Sequence, residues 1–184
     1  MKPIKFTTYK IATWLIPTAI MMISSVFLTF SNAEASNINL SYAYNSSIKS
    51  NAINADDLTA LTNEKRVKAG LKPLSTNLDL VKAAKAKSLD MKEKNYFEHF
   101  RPTDGKTPWA YMDEQNYRWT LAGENLARGY KNNSQVVEAW MKSSTHKKNI
   151  LNPKYQEIGV TTIEITKDGQ PITLTVQMFG STSR

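Results

Sequence analysis

Cysteine is absent from the 184 residues, so no disulfide staples this chain, and neither a thiol nucleophile nor thiolate-bound zinc is available to it. Stability must come from packing. Histidine is nearly as scarce, with only His99 and His146. No His-Glu-x-x-His helix and no Gly-x-Ser-x-Gly elbow occurs, so zincin-type metalloprotease chemistry and the serine-hydrolase elbow lack their usual sequence marks. No internal repeat is visible, and no nucleic-acid recognition motif accompanies the basic isoelectric point. What is present is concentrated in three polar segments: Phe97-Glu98-His99-Phe100, Gly123-Glu124-Asn125, and Ser144-Thr145-His146-Lys147-Lys148-Asn149. Two imidazoles and a carboxylate on separate segments are the raw material of a metal or acid/base site once folding brings them together.

Residues 1–35 have the layout of an export signal. Lys2, Lys5 and Lys10 form a basic start, Ile11 to Phe30 is apolar apart from a few Ser and Thr, and Ala33-Glu34-Ala35 offers small residues for cleavage. The apolar run, about 20 residues, is also long enough to span a bilayer. Cleavage is the favoured reading, because Pro17 interrupts the run and the small-residue site follows directly, with an N-terminal membrane anchor as the alternative. Either way the protein is expected to be secreted or held at the cell envelope. Residues 36–55, rich in Asn, Ser and Ala, read as a linker. Residues 56–184 suffice for one globular domain. Past Ala35 the chain carries 21 Lys and Arg against 15 Asp and Glu, a net +6, which draws it toward anionic cell-surface polymers and acidic lipid headgroups.

Within the domain, Asp56 and Asp57 offer N-caps for a helix carrying Leu58, Leu61 and Val67, with Gly70 as its stop. Asn77 caps a second helix to about Asn95, with Leu78, Val81, Ala84, Ser88 and Met91 on one face and Lys82, Lys85, Lys92 and others outside. A loop holding His99 follows. Thr107-Pro108 opens a short third helix, and Leu121–Leu126 reads as a strand end or a single helical turn. Ser134 caps a fourth helix with Val136, Val137, Trp140 and Met141 at helical spacing, and His146 falls in a turn or short helix beyond it. Alternation over 158–166 and 172–179 around Asp168-Gly169 is a β-hairpin. The fold class is α+β, helices packed on a small antiparallel sheet.

Taken in order, several motifs resemble the CAP superfamily of cysteine-rich secretory, antigen 5 and pathogenesis-related-1 proteins, also called SCP-like extracellular proteins. They are Leu61-Thr62-Asn63-Glu64-Lys65-Arg66, Phe97-Glu98-His99, Gly123-Glu124-Asn125, Val136 to Ser143 with His146 to Leu151, Ile158-Gly159-Val160, and Gln177-Met178-Phe179-Gly180. The absent cysteines place the likeness in the bacterial YkwD-like branch. The resemblance implies an αβα sandwich with an open cleft lined by two histidines and acidic residues. On this chain those positions are His99, Glu124 and His146, with His99 and His146 as ligands of a weakly held Zn2+ or other divalent metal. The family's further glutamate, three residues after the helix tryptophan, is replaced here by Ser143. Glu138 lies about 140° round the helix from that position and does not stand in for it.

The expected function is a binding module for a lipid, a peptide or another envelope ligand. The alternative is a metal-assisted hydrolase in which His99 and His146 hold the metal and Glu124 acts as general base. Ser143, Ser144 and Thr145 are read as capping hydroxyls rather than a nucleophile. Lys142, Lys147, Lys148 and Lys154 are read first as a solvated helix end, second as an anion subsite. Trp109, Tyr111, Trp119 and Trp140 are read first as core. Nucleic acid is not an expected partner.

Overall fold

The computed structural model describes residues 52–183. The export or anchor segment and most of the linker lie outside the described residues. Among the described residues nine elements follow in order: α1 (Ala55–Lys68), β1 (Ser75–Thr76), α2 (Leu78–Glu93), α3 (Pro108–Glu114), β2 (Trp119–Arg128), α4 (Asn133–Lys142), α5 (Ser144–Ile150), β3 (Glu157–Lys167) and β4 (Gln170–Thr182).

The sheet order is β1-β3-β4-β2. The long pairings are antiparallel, β3 with β4 and β4 with β2, while the two-residue β1 joins β3 in parallel. The hairpin turns at Asp168 and Gly169, with φ of 51° and 75°, the left-handed pair that the Asp-Gly sequence favours. Strand alternation divides the core in two. Ile158, Val160, Phe179 and Ala127 face α1, α4 and α5, packing with Leu58, Val136, Val137, Trp140 and Ile150. Leu126, Leu174, Val176 and Met178 face α2 and α3, packing with Leu80, Ala83, Ala84, Met91 and Met112. Helices therefore cover both faces, an αβα sandwich.

Gly159 lets α2 lie directly on the sheet. A Cβ there would sit 2.2 Å from the backbone carbon of Leu80 and 2.4 Å from the Val81 nitrogen, distances that only the bare glycine permits.

Several local expectations shift. Asn54 caps α1, its side chain accepting from the Asp57 amide at 2.9 Å. Asp56 and Asp57 instead fall in the first turn, where carboxylates favour the helix dipole. Val67 is exposed, and its neighbour Arg66 is buried. Arg66 spends its guanidinium on the carbonyls of Lys72, Ile150, Asn152 and Tyr155, tying α1 to the loop after α5. Asn77 caps α2 as its sequence position suggests, accepting from Asp79 and Leu80, but Leu78 is exposed and Leu80 takes the core position. Asn132 rather than Ser134 caps α4, accepting from the Gln135 amide at 3.0 Å. Leu121–Leu126 belongs to the ten-residue β2, and His146 lies within a short helix, α5.

Candidate functional site

β2 is the edge strand, and its consecutive residues Glu124 and Asn125 point to opposite faces of the sheet. Each holds one histidine segment. On the α2 face, the Glu124 Oε1 pairs with His99 Nδ1 at 2.6 Å, with side chains 1% and 47% exposed respectively. On the other face, Asn125 Nδ2 donates to the His146 carbonyl at 3.3 Å and to Gln177 Oε1 at 3.0 Å. Gln177 in turn donates to Thr62 Oγ1 at 2.9 Å. Asn149 of α5 closes the arrangement across the edge, donating to the Glu124 carbonyl at 3.0 Å and to Asn125 Oδ1 at 2.9 Å.

The outward carbonyls of β2 are thereby occupied. Tyr155 donates its hydroxyl to Ala122 at 2.8 Å, Asn149 its amide to Glu124, and Trp140 its indole N–H to Leu126 at 3.0 Å. These side chains do for the edge what a further strand would do. Gly123 makes the Tyr155 contact possible, since a Cβ there would lie 2.3 Å from the tyrosine oxygen.

Two hollows follow one another along this edge. One, about 270 Å³, is lined by His99, Phe100, Trp109, Ala122, Gly123, Glu124 and Asn149 among others. The next, about 310 Å³, is lined by Phe97, Leu126, Arg128, Tyr130, Trp140, Ser143 and His146 among others. Ser143 thus lines the His146 hollow, whereas Glu138 is exposed. Of the aromatic residues read as core, Tyr111 and Trp140 are buried. Trp109 is half-buried in the His99 hollow, with Trp119 at 6.2 Å and itself partly exposed.

The electrostatics separate the two histidines. Hydrogen bonding to Glu124 raises the pKa of His99, against the opposing effects of burial and of Lys87. Burial, with the charge of His99 adding to it, lowers that of His146. Burial also raises the pKa of Glu124, moderated by His99 and Lys87. Its second oxygen, Oε2, is buried without a hydrogen-bond partner. With Nδ1 committed to Glu124, Nε2 is the His99 nitrogen left for a ligand or metal, the arrangement in which a carboxylate orients a metal-binding imidazole. Among the described residues no three His, Cys, Asp or Glu side chains gather into a group able to hold a metal ion.

Lys87 is the site residue that the sequence reading did not single out, although its spacing from Ala84 and Met91 puts it on the apolar face of α2. It is fully buried, and its ammonium donates to the carbonyls of Glu98 and His99, both at 2.9 Å, and to the Tyr96 hydroxyl at 3.2 Å. It sits over the Tyr96 ring at 4.7 Å, a cation–π contact strengthened by burial. Behind it, Asp90 accepts from Lys94, Tyr96, Tyr111 and Arg101. Burial alone would raise the pKa of Asp90, but these donors hold it well below the ordinary carboxylate range. The His99 loop is therefore pinned from beneath by a buried charged cluster.

The profile of the cysteine-rich secretory protein family, CAP, matches residues 59–179. The YkwD protein of Bacillus subtilis is 51% identical over 104 residues, covering 56% of this chain and 40% of its own length. The membrane protein YlbC of the same organism is 38% identical over 100 residues, 54% of this chain and 29% of its own. This chain thus spans well under two thirds of either relative. Among solved structures, an outer surface protein of Borrelia burgdorferi superposes with a TM-score of 0.62 at 27% identity, covering 70% of this chain and 92% of that one. An extracellular SCP-domain protein of Bacillus anthracis does so with 0.59 at 29%, covering 68% and 39%.

Proposed function

Because this chain belongs to the cysteine-rich secretory protein family, we propose that it acts outside the cytoplasm as a binding module, with residues 1–35 serving as export signal or membrane anchor. Its ligand, a lipid, a peptide or another envelope component, is taken by the cleft along the outer edge of β2, where side chains cap the strand. The observation that carries this reading is the commitment of Glu124. Its carboxylate is buried and spent on His99 Nδ1, so it orients an imidazole instead of reaching a substrate. Recognition asks for such a fixed donor and acceptor pattern. The metal-assisted hydrolase asks for an accessible general base, and Glu124 does not present one.

A weakly held divalent ion is the further part of this proposal, resting on the chemistry of the two imidazoles, which line neighbouring hollows. His99 and His146 would provide two imidazoles for Zn2+ or a similar metal, fewer than the three or four protein ligands of tight zinc sites. Bound there, a metal would supply a Lewis-acid centre for an oxygen or nitrogen of the ligand. The test is calorimetric titration with zinc together with mass spectrometry of small molecules retained by the exported protein. Weak zinc binding and a retained ligand, both lost in the His99→Ala, His146→Ala double variant, are expected. Turnover of a peptide or envelope substrate that disappears in Glu124→Gln, with zinc binding intact, would overturn the binding-module reading in favour of the enzyme.

A further inference from the structure

A third hollow, about 640 Å³, lies outside the histidine cleft at the C-terminal end of α5. Its apolar lining comes from Leu121, Leu151 and Pro153, and its charged lining from Lys147, Lys148 and Lys154. No carboxylate lines it, and none of the three lysines takes part in an ion pair among the described residues. All three are exposed. Lys147 and Lys148 stand in the last turn of α5, where the helix dipole alone accounts for cations. Lys154 lies four residues beyond the helix end and outside that account. A solvated helix end also has no use for an apolar floor between its lysines.

We propose that this surface docks on an anionic lipid bilayer, the three lysines engaging phosphate headgroups while the exposed Pro153 and the outer parts of the half-buried Leu121 and Leu151, whose inner parts pack on the core, meet the interfacial layer. The pairing of the two chemistries selects the partner. A hydrophilic polyanion would satisfy the lysines and leave the apolar floor in water, whereas a bilayer surface offers negative charge and an apolar boundary within a few ångströms of each other. Docking there is independent of the cleft ligand, because none of these six residues holds His99, Glu124 or His146 through a side chain.

The absence of cysteine makes the test direct. The full chain carrying Pro153→Cys is labelled with an environment-sensitive fluorophore and mixed with vesicles of phosphatidylglycerol and phosphatidylcholine, or of phosphatidylcholine alone. The N-terminal segment can associate with either vesicle, so the probe reports this face and not mere attachment. A blue shift on the acidic vesicles only is expected, with no shift for the same label at Thr103→Cys, an exposed position in the loop before α3. Substituting Lys147→Gln, Lys148→Gln and Lys154→Gln together should weaken docking about a hundredfold, roughly fivefold per lysine. Leu151→Ser should weaken it severalfold with all lysines in place, urea unfolding confirming that the variant is folded. An equal shift on neutral vesicles, an equal shift at position 103, or an unchanged shift in the triple variant would overturn the proposal. So would binding of soluble polyphosphate that the triple variant loses while acidic vesicles leave the position 153 probe unmoved, because the lysines would then serve a water-soluble polyanion.

Discussion

Replacing Gly123 by alanine tests whether the cleft floor is held by close approach. The added methyl would lie 2.3 Å from the Tyr155 oxygen, 2.8 Å from its ring carbon Cζ and 3.2 Å from Asn149 Oδ1. Ordinary contact begins near 3.4 Å, so the phenol must retreat by about 1 Å. Tyr155 has little room to do so. It is buried, stacked on Phe179 at 5.3 Å and donating to the Ala122 carbonyl. Overpacking of this kind costs about 1–3 kcal/mol, and loss of the buried hydrogen bond adds about 1 kcal/mol. The expected total is about 2–4 kcal/mol, read in urea unfolding as a fall of about 1–2 M in the midpoint at unchanged slope. The cause is isolated by a double-mutant cycle. In a Tyr155→Leu background the phenol is gone, and Gly123→Ala should cost less than about 1 kcal/mol. A loss within 0.5 kcal/mol of zero in the wild-type background, or the same loss with and without Tyr155, would refute the reasoning.

Two further outcomes follow from the charges beneath the site. With only two histidines, the imidazole protons can be titrated individually by NMR. Glu124→Gln removes the group that raises the His99 pKa and leaves burial and Lys87, which both lower it, so the value should fall below 6.5. In the wild type, the raised His99 pKa means that protonation of His99 contributes stability below its ordinary value near pH 6.5. That contribution is lost as pH rises through the folded value and, on the acid side, once Glu124, whose pKa burial raises, takes up its proton. A His99 titration that does not move in Glu124→Gln would disprove the pairing in solution. Lys87→Met should cost about 2–4 kcal/mol by leaving the Glu98 and His99 carbonyls without their donor, and should speed hydrogen exchange through the 96–101 loop more than in α4. Uniform protection in both segments would show that Lys87 does not hold the loop.

The elements whose signals are local were legible in the sequence. Asn77, Thr107-Pro108 and Asp168-Gly169 act where they stand, and the alternation of β3 and β4 follows from having one face toward each helical layer. The cap of α1 was misassigned to Asp56 and Asp57 because any Asx near a helix start competes for the role, and only geometry shows that the Asn54 side chain meets the Asp57 amide. Glu124 and His99 were legible as candidates through a motif, and they are in hydrogen-bond contact. Their support was not. Lys87 and Arg66 each look like surface residues on a helix, and each is buried because backbone carbonyls from distant loops converge on it. Helical spacing puts both on the buried stripe, Arg66 after Leu58 and Thr62 and Lys87 between Ala84 and Met91, but the carbonyls that satisfy a charge there belong to the tertiary fold. The Gly123, Gly159 and Gly180 signature has the same origin. Each glycine sits under a tyrosine or a helix backbone from elsewhere in the chain.

The occupied edge of β2 limits how anything can be recognised there. Tyr155, Asn149 and Trp140 take the acceptors at positions 122, 124 and 126, so an extended peptide cannot read this strand by pairing main chain to main chain, as it does on open sheet edges. Main-chain pairing is indifferent to side-chain identity, and its loss leaves discrimination to imidazole, indole and amide groups. The same occupied edge keeps copies of the chain from adding to one another strand by strand. The same three side chains thus set both how a ligand of the proposed cleft would be discriminated, by side chains and not main chain, and how strand-to-strand self-association is resisted.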